Sequence, residues 1–233
     1  MKIALFGYGK MGQMIEQIAL NRGHKIVAKI DENTENIDFG VMDVAIDFSM
    51  PSAAFNNITT CINNNVPVIS GTTGWLDHYE DAVSLCKDKK GAFIYASNFS
   101  LGVNIFFELN NYLAKMMQNI PEYKAELEEI HHTHKLDAPS GTAITLAEGV
   151  IANSNYKEWK LDSASAETLK ITSKRIGKVP GTHTVSYDSV VDSIQIKHTA
   201  HNREGFALGA VTAAEWIIGK TGVFSMRDVL NLG

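Results

Sequence analysis

Fifteen residues, Glu129 to Ala143, concentrate the groups in this chain that could do chemistry: Glu129, His131, His132, His134, Lys135 and Asp137, then Pro139, Ser140, Gly141 and Thr142. Imidazoles exchange protons near neutral pH, and Lys135 offers a cation to a carboxylate. Ser140, Gly141 and Thr142 follow a proline at what reads as a helix start. There, bare backbone amides and the positive end of the helix dipole favour a second carboxylate, and Gly141 leaves space for it to approach. A Ser-Gly-Thr run in isolation is an ordinary capped helix start; next to two histidines and a lysine it reads as an anion cradle. The segment is therefore expected to be an active site for a small anionic substrate.

The elements that must position these groups follow from apolar periodicity. Val103, Phe106, Phe107, Leu109, Leu113, Met116 and Met117 describe a long amphipathic helix over residues 102–120. Residues 123–130 alternate as a strand, which places His131 and His132 at its end on opposite faces, so that only one of them faces the substrate. The competing reading of the pair is two hydrogen-bonded histidines that stiffen the strand end. Ile144, Ala147, Val150 and Ile151 give the next helix, residues 142–151, its buried face. Residues 169–175, 181–187 and 193–198 read as antiparallel strands linked by short turns that complete an open sheet. Residues 206–218 and 225–230 read as helices. His131, His132, His134 and Asp137 are zinc-type ligands, but they lack helical i, i+4 spacing and cysteine partners, so no metal is expected and His134 is taken as an exposed loop residue.

The first hundred residues read as a nucleotide platform. A short apolar strand, residues 2–6, runs into Gly7, Gly9 and Gly12. A helix follows with Met11, Met14, Ile15, Ile18 and Ala19 inward, then a strand ending at Asp31, nineteen residues beyond Gly12. This matches the dinucleotide fingerprint: Gly7 for the tight turn, Gly9 for close approach of the pyrophosphate, Gly12 for helix-to-strand packing and Asp31 for ribose hydroxyls. The glycines alone would equally suit a turn without a ligand; the strand, helix, strand and acid around them favour the cofactor. Apolar runs at 44–48, 66–69 and 92–95 alternate with helical segments near 52–63 and 77–87, which predicts a parallel sheet. The loops beyond its strand ends, carrying Phe48 and Ser49, Gly71, Thr72 and Thr73, and Ser97, Asn98 and Phe99, are expected to wrap ribose and nicotinamide. Only eleven residues, Glu32 to Met42, join the second and third strands, too few for an ordinary helical crossover, so a loop is expected there.

These motifs together carry a resemblance. Glu129, His131, His132, Lys135, Asp137, Ala138, Pro139, Ser140, Gly141, Thr142 and Ala143 occupy every fixed position of the signature of the dihydrodipicolinate reductases, or 4-hydroxy-tetrahydrodipicolinate reductases, of the bacterial and plant diaminopimelate and lysine pathway. Gly7-Tyr8-Gly9-Lys10-Met11-Gly12, Gly71-Thr72-Thr73-Gly74 and Ser97-Asn98-Phe99-Ser100 follow in the family's order, so the resemblance spans the chain. It implies an α/β protein: a Rossmann-like parallel sheet domain, residues 1–98 completed by helices in 204–233, and a smaller α+β substrate and oligomerisation domain, residues 99–203, with an open mixed sheet. The implied reaction is NAD(P)H-dependent reduction of a cyclic imine dicarboxylate, formed from 4-hydroxy-tetrahydrodipicolinate by loss of water, at its C4. His131 would be the proton donor, Lys135 would orient a carboxylate or share the proton step, and His132, Ser140, Gly141 and Thr142 would anchor the distal carboxylate. Lys10 and Met11 join the cofactor contacts. Family members accept NADH or NADPH; here Asp31 and Glu32 would repel a 2′-phosphate, Lys10 and Lys29 could offset them, and the balance leans to NADH. The resemblance also implies a homotetramer. Arg175, Gly177, Gly181, His183, His198 and Arg203 belong to the shared pattern without a derivable role.

Bulk properties narrow the alternatives. A chain of 233 residues, 45% hydrophobic and 20% charged, can bury a core. No apolar run approaches a membrane span and the amino terminus lacks a secretory pattern, so a cytoplasmic protein is expected. Cys61 and Cys86 are expected to be reduced thiols without chemistry. A net charge of −5 gives no general attraction to nucleic acid. Two rival functions are an aspartate-semialdehyde or homoserine dehydrogenase and a redox sensor that reads the nucleotide. The first lacks the two histidines and Pro-Ser-Gly-Thr, and no cysteine here has a catalytic setting; the second would be expected to carry a DNA-binding segment, which is not visible.

Overall fold

The computed structural model describes residues 1–34 and 36–232. The chain forms two compact units, Met1–Leu101 with Glu204–Gly233, and Gly102–Arg203. The division thus falls after residue 101 rather than after 98. Phe99 and Leu101 explain the difference, because both side chains pack into the core of the first unit.

In the first unit, β1 (Lys2–Phe6), β2 (Lys25–Ile30), β3 (Val44–Asp47), β4 (Val68–Ser70) and β5 (Ala92–Tyr95) are joined by β11 (Gly222–Phe224) in the order β11-β5-β4-β3-β1-β2. Among the described residues every neighbouring pair in this sheet is parallel. The central strands are apolar throughout, as a sheet covered on both faces requires: Ile3, Leu5, Val44, Ile46, Ile69 and Ile94 belong to one core and Ala4, Phe6, Ala45, Val68 and Phe93 to the other. The first core is closed by α1 (Lys10–Asn21) and α6 (Glu204–Ile217), the second by α2 (Pro51–Asn63) and α3 (Tyr79–Asp88). The connection from β2 to β3 holds only a 3-10 turn, Phe39–Val41, with Glu35 outside the described residues. The short crossover has no room for a helix. Strand β11, at the sheet edge, was not anticipated; its three residues are too short to show a period. The final helix, α7 (Met226–Val229), is correspondingly shorter than expected.

The second unit is a five-stranded sheet ordered β10-β9-β6-β8-β7, with β6 (Lys124–His131), β7 (Glu158–Leu161), β8 (Thr168–Arg175), β9 (Gly181–Asp188) and β10 (Ser193–Ala200). The order departs from the expected three consecutive antiparallel strands. Of the three, only β9 and β10 pair with each other; β6 lies between β8 and β9, parallel to β8 and antiparallel to β9. Helix α5 (Gly141–Ala152), between β6 and β8, provides the crossover that parallel pairing demands. Alternation along β6 sends Ala125, Leu127, Glu129 and His131 inward. Helices α4 (Leu101–Met117) and α5 supply Phe106, Leu113, Leu146 and Val150 to the same core as Leu127, Ile171 and Val185.

Helix α6 reaches its core through small side chains, Ala207, Ala210, Ala213 and Ala214, all fully buried. At Gly209 a β-carbon would stand 1.7 Å from the carbonyl oxygen of Phe99. Alanine ordinarily stabilises a helix interior by about 1 kcal/mol over glycine, but here the clash with backbone decides the sign. Gly209→Ala is expected to lower stability by about 1–3 kcal/mol, read as a fall in thermal midpoint; an unchanged or raised midpoint would refute the close approach.

Candidate active site

The nucleotide-type loops of the first unit interlock at the carboxyl ends of its strands. Gly7 sits at φ +87°, and a β-carbon there would lie 2.3 Å from the Phe48 carbonyl. Gly12 closes on Gly7, its β-carbon position 2.4 Å from the Gly7 carbonyl, while above Gly9 nothing stands within 4 Å. The three glycines therefore serve three needs: a positive-φ turn, an open approach and tight packing. Helix α1 starts at Gly9 without a side-chain cap, leaving first-turn amides beside exposed Lys10 and half-buried Met11. These residues fit a dinucleotide pyrophosphate, whose charge such a helix start favours.

Asp47 ties the next loops together. Its side chain is fully buried and accepts from Ser49 Oγ at 2.6 Å, Thr72 Oγ1 at 2.7 Å, Ser70 Oγ at 2.8 Å and Asn57 Nδ2 at 3.0 Å. The Ser49 amide in turn donates to Thr72 Oγ1 at 2.9 Å. Gly71 is glycine because the Phe48 ring occupies the space of its side chain, 2.3 Å from the β-carbon position. Thr73 and Ser97 are exposed and Asn98 half-buried, its Oδ1 accepting from the Ser100 amide at 2.9 Å. Phe99 departs from expectation: its ring is core, 1% exposed, and so is not a surface for a ligand. Asp31 stands exposed at the end of β2, its Oδ1 accepting from the Asn33 amide and the Thr34 hydroxyl, both at 3.0 Å.

In the second unit the catalytic-type residues are organised by a carboxylate that sequence reasoning left without a role. Glu129 is completely buried. The strand register sets Ser173 of β8 on one side of it and His183 of β9 on the other. Its Oε1 accepts from Ser173 Oγ at 2.8 Å and Arg175 Nη2 at 3.2 Å, and the Ser140 amide lies 3.1 Å from both oxygens. Its Oε2 faces His131 Nδ1 at 3.4 Å and His183 Nε2 at 3.6 Å. The His131 contact lies within ion-pair distance but is not aligned as a hydrogen bond, and among the described residues that buried Nδ1 has no other partner. Burial by itself would raise the carboxyl pKa; the surrounding donors, His131, His183, Ser140 and Ser173, outweigh it and hold Glu129 well below the usual carboxylate range.

His131 is 7% exposed, with its ring edge-on to His183 at 5.0 Å between centroids. Gly181 makes space for that ring, since a β-carbon there would be 3.1 Å from His131 Nε2. His132, on the opposite strand face, is half-buried, and His134 is exposed. Lys135 Nζ pairs with Asp137 at 2.9 Å, and this holds the Asp137 carboxyl below its ordinary value. Arg175 braces the same turn by donating to the Lys135 carbonyl at 3.4 Å and the Asp137 carbonyl at 2.6 Å.

The anion cradle needs a correction at Ser140. Its amide is spent on Glu129, and its hydroxyl caps α5 by accepting from the Ala143 amide at 3.2 Å, so it is buried structural chemistry. The Gly141 and Thr142 amides carry no partner among the described residues. Glu129, His131 and His183 also offer three ligand atoms within 4.8 Å of one another, but a cation placed there would compete with Arg175, which already neutralises the carboxylate. The signal that could have found Glu129 is its place two residues before His131: an acid on the inward face of a strand must be met by donors.

Two family models match the chain, the dihydrodipicolinate reductase amino-terminal region over residues 1–99 and its carboxy-terminal region over residues 102–230. The chain belongs to the dihydrodipicolinate reductase family. It is accordingly an oxidoreductase. A 4-hydroxy-tetrahydrodipicolinate reductase of Christiangramia forsetii is 59% identical over 99% of this chain and 98% of its own length. Another, from Archaeoglobus fulgidus, is 36% identical over 99% and 100% respectively. Among solved structures, a dipicolinate-bound dihydrodipicolinate reductase from Paenisporosarcina sp. TG-14 superposes with a TM-score of 0.82, covering 97% of this chain and 98% of its own at 21% identity, which speaks to the fold. As in that family, the parallel sheet of the first unit carries the fingerprint for a pyridine nucleotide.

The buried imidazole of His183 gives the second unit a pH response. Burial, then the neighbouring His131, lowers its pKa below the ordinary 6.5, against the pull of Glu129. With a depressed folded-state pKa, its contribution to stability is full above about 6.5 and is lost as pH falls toward the folded value. The thermal midpoint is expected to decline from about pH 6.5 downward, and His183→Gln should flatten that decline. Equal slopes for the two proteins would contradict a buried neutral His183.

Proposed function

We propose that the chain reduces 4-hydroxy-tetrahydrodipicolinate, by way of the dehydrated cyclic imine, to tetrahydrodipicolinate in diaminopimelate and lysine biosynthesis. The observation that carries this reading is the convergence of a buried acid-held imidazole, a lysine on a braced turn and two unpartnered helix-start amides within the family's signature segment. When bound, NADH or NADPH supplies the hydride. Gly7, Gly9, Lys10, Met11 and Gly12 hold its pyrophosphate, and Asp31 its ribose hydroxyls. Phe48, Ser49, Gly71, Thr72, Thr73, Ser97 and Asn98 line the way to the nicotinamide, together with the backbone at Phe99.

The protein's own residues manage the charge. Hydride addition at C4 moves negative charge toward C3 and the ring nitrogen, so a proton donor raises the rate by a factor of about 100 to 10,000. His131 is that donor. Lys135, itself half-buried, exchanges the exposed Asp137 carboxylate, which returns to water, for one of the substrate's. His132 and the Gly141 and Thr142 amides take the distal carboxylate, favoured by the α5 dipole.

Lys29 supports the lean toward NADH. Its ammonium lies 2.8 Å from Glu16 and 2.9 Å from the Tyr8 hydroxyl, so it is not spare for a 2′-phosphate near Asp31 and Glu32. Work in the cytoplasm suits the free, buried thiols of Cys61 and Cys86, and no helix among the described residues is long and apolar enough to cross a membrane. A homotetramer built on the sheet of the second unit is supported by its exposed edge strand β10, where Ile194 is 39% accessible.

With NADH oxidation followed on freshly generated substrate, His131→Gln is expected to cut turnover about 100-fold or more while cofactor affinity holds. Lys135→Ala should damage both turnover and dicarboxylate KM. Wild-type turnover in both variants would end this assignment. The kcat/KM with NADH should exceed that with NADPH; a strong NADPH preference rejects the lean.

A further inference from the structure

We propose that Glu129 is the positioning residue of this site: its buried carboxylate fixes which nitrogen of His131 carries the proton and, through Arg175, fixes the turn that bears Lys135. The inference rests on the reading of His131 as proton donor and adds to it a residue that touches no substrate.

The sheet register creates the arrangement. Glu129 and His131 are two apart on one face of β6, and Glu129 is flanked across the strands by Ser173 and His183, while His131 is flanked by Arg175. The two carboxylate oxygens then divide their work. Oε1 accepts from Ser173, Arg175 and the Ser140 amide; Oε2 shares that amide and otherwise faces only imidazole nitrogens, His131 Nδ1 at 3.4 Å and His183 Nε2 at 3.6 Å. An ionised carboxylate accepts and cannot donate. The buried Nδ1 of His131 has no other partner among the described residues, so it holds its hydrogen toward Glu129 and leaves Nε2 as the nitrogen that takes up and releases a proton. Arg175 extends the same constraint: one guanidinium contacts Glu129 at 3.2 Å, the Asp137 carbonyl at 2.6 Å and the Lys135 carbonyl at 3.4 Å.

Replacing the carboxylate by its isosteric amide reverses this logic. In Glu129→Gln the amide oxygen stays with Ser140, Ser173 and Arg175, which are donors. Its NH2 group then points at His131 Nδ1 and converts that atom to an acceptor, so the neutral ring carries its hydrogen on Nε2. Glu129→Asp is shorter and packs less well, yet keeps an acceptor-only group.

The test combines imidazole 15N NMR with steady-state kinetics on the full-length protein. Neutral His131 is expected as the Nδ1–H form in the wild type and the Nε2–H form in Glu129→Gln. The expected kcat of Glu129→Gln is lower by about 100-fold or more, with nucleotide KM unchanged, and Glu129→Asp should recover part of that loss. A merely structural role ranks the variants the other way, the isosteric Gln above the shorter Asp. Arg175→Lys keeps the charge but loses the fork, and should raise the dicarboxylate KM several-fold more than it lowers kcat. Wild-type His131 found as Nε2–H overturns the proposal without any variant, and so does a folded Glu129→Gln at least as active as Glu129→Asp. An unchanged KM in Arg175→Lys removes the turn from Glu129's reach. If His131→Gln keeps its turnover while the wild-type ring is Nδ1–H, the proton-donor reading fails and the tautomer assignment stands; an inactive His131→Gln with the opposite tautomer has the reverse meaning.

Discussion

A carboxylate with no access to water, held by a backbone amide, a hydroxyl, a guanidinium and two imidazoles, is the constraint on which the second unit turns. Moving an ionised carboxyl out of water costs several kcal/mol even after relaxation, and the cost is recovered only while the partners stay in place. Glu129 therefore couples elements that are distant in sequence: the end of β6, the start of α5, the end of β8 and the first residues of β9. The positive end of α5 points its Ser140 amide at this carboxylate, so part of the helix dipole stabilises an internal anion. Only the next two amides remain for a ligand.

The first unit solves a related problem without a cation. Asp47 is equally buried, and its four donors are neutral: two serines, a threonine and an asparagine. Those donors sit at the end of β4, on the loops after β3 and β4 and on α2, so one side chain sets the spacing of two loops at the carboxyl ends of the strands. Hydrogen bonds to a charged acceptor are worth more than neutral ones, which is why three hydroxyls and one amide suffice. Phe48 then packs over Gly71 and meets Phe99, its ring centroid 5.8 Å away, carrying the order of these loops to the one after β5.

Much of this was legible in the residues. The spacing of Gly7, Gly9, Gly12 and Asp31 read as a nucleotide turn because each glycine answers a different steric demand, and those demands are met at Phe48 and Gly7. The segment from Glu129 to Thr142 announced a site because its residue types have few other reasons to cluster. What escaped was pairing across the sheet. Periodicity tells which face of a strand is buried but not which strand lies beside it, so β8, β9 and β10 read as a simple meander when β6 in fact separates β8 from β9. The partners of Glu129 follow from that insertion. For the same reason Ser140 looked free for a substrate: its competitor lay eleven residues earlier, on a neighbouring strand. Phe99 misled differently, since a residue within a ligand loop can still turn its ring into the core.

The parallel sheet of the first unit is completed by β11 and α6, which lie beyond residue 203, whereas the second unit is one uninterrupted stretch. During synthesis, the strands β1 to β5 emerge long before the helix that covers their apolar face, with Ile3, Val44 and Ile94 waiting for Ala207, Ala210 and Val211. The second unit is complete in the emerging chain before the first, and until α6 is made the part of the sheet face that α1 does not cover lacks its partner and is open to solvent and to chaperones.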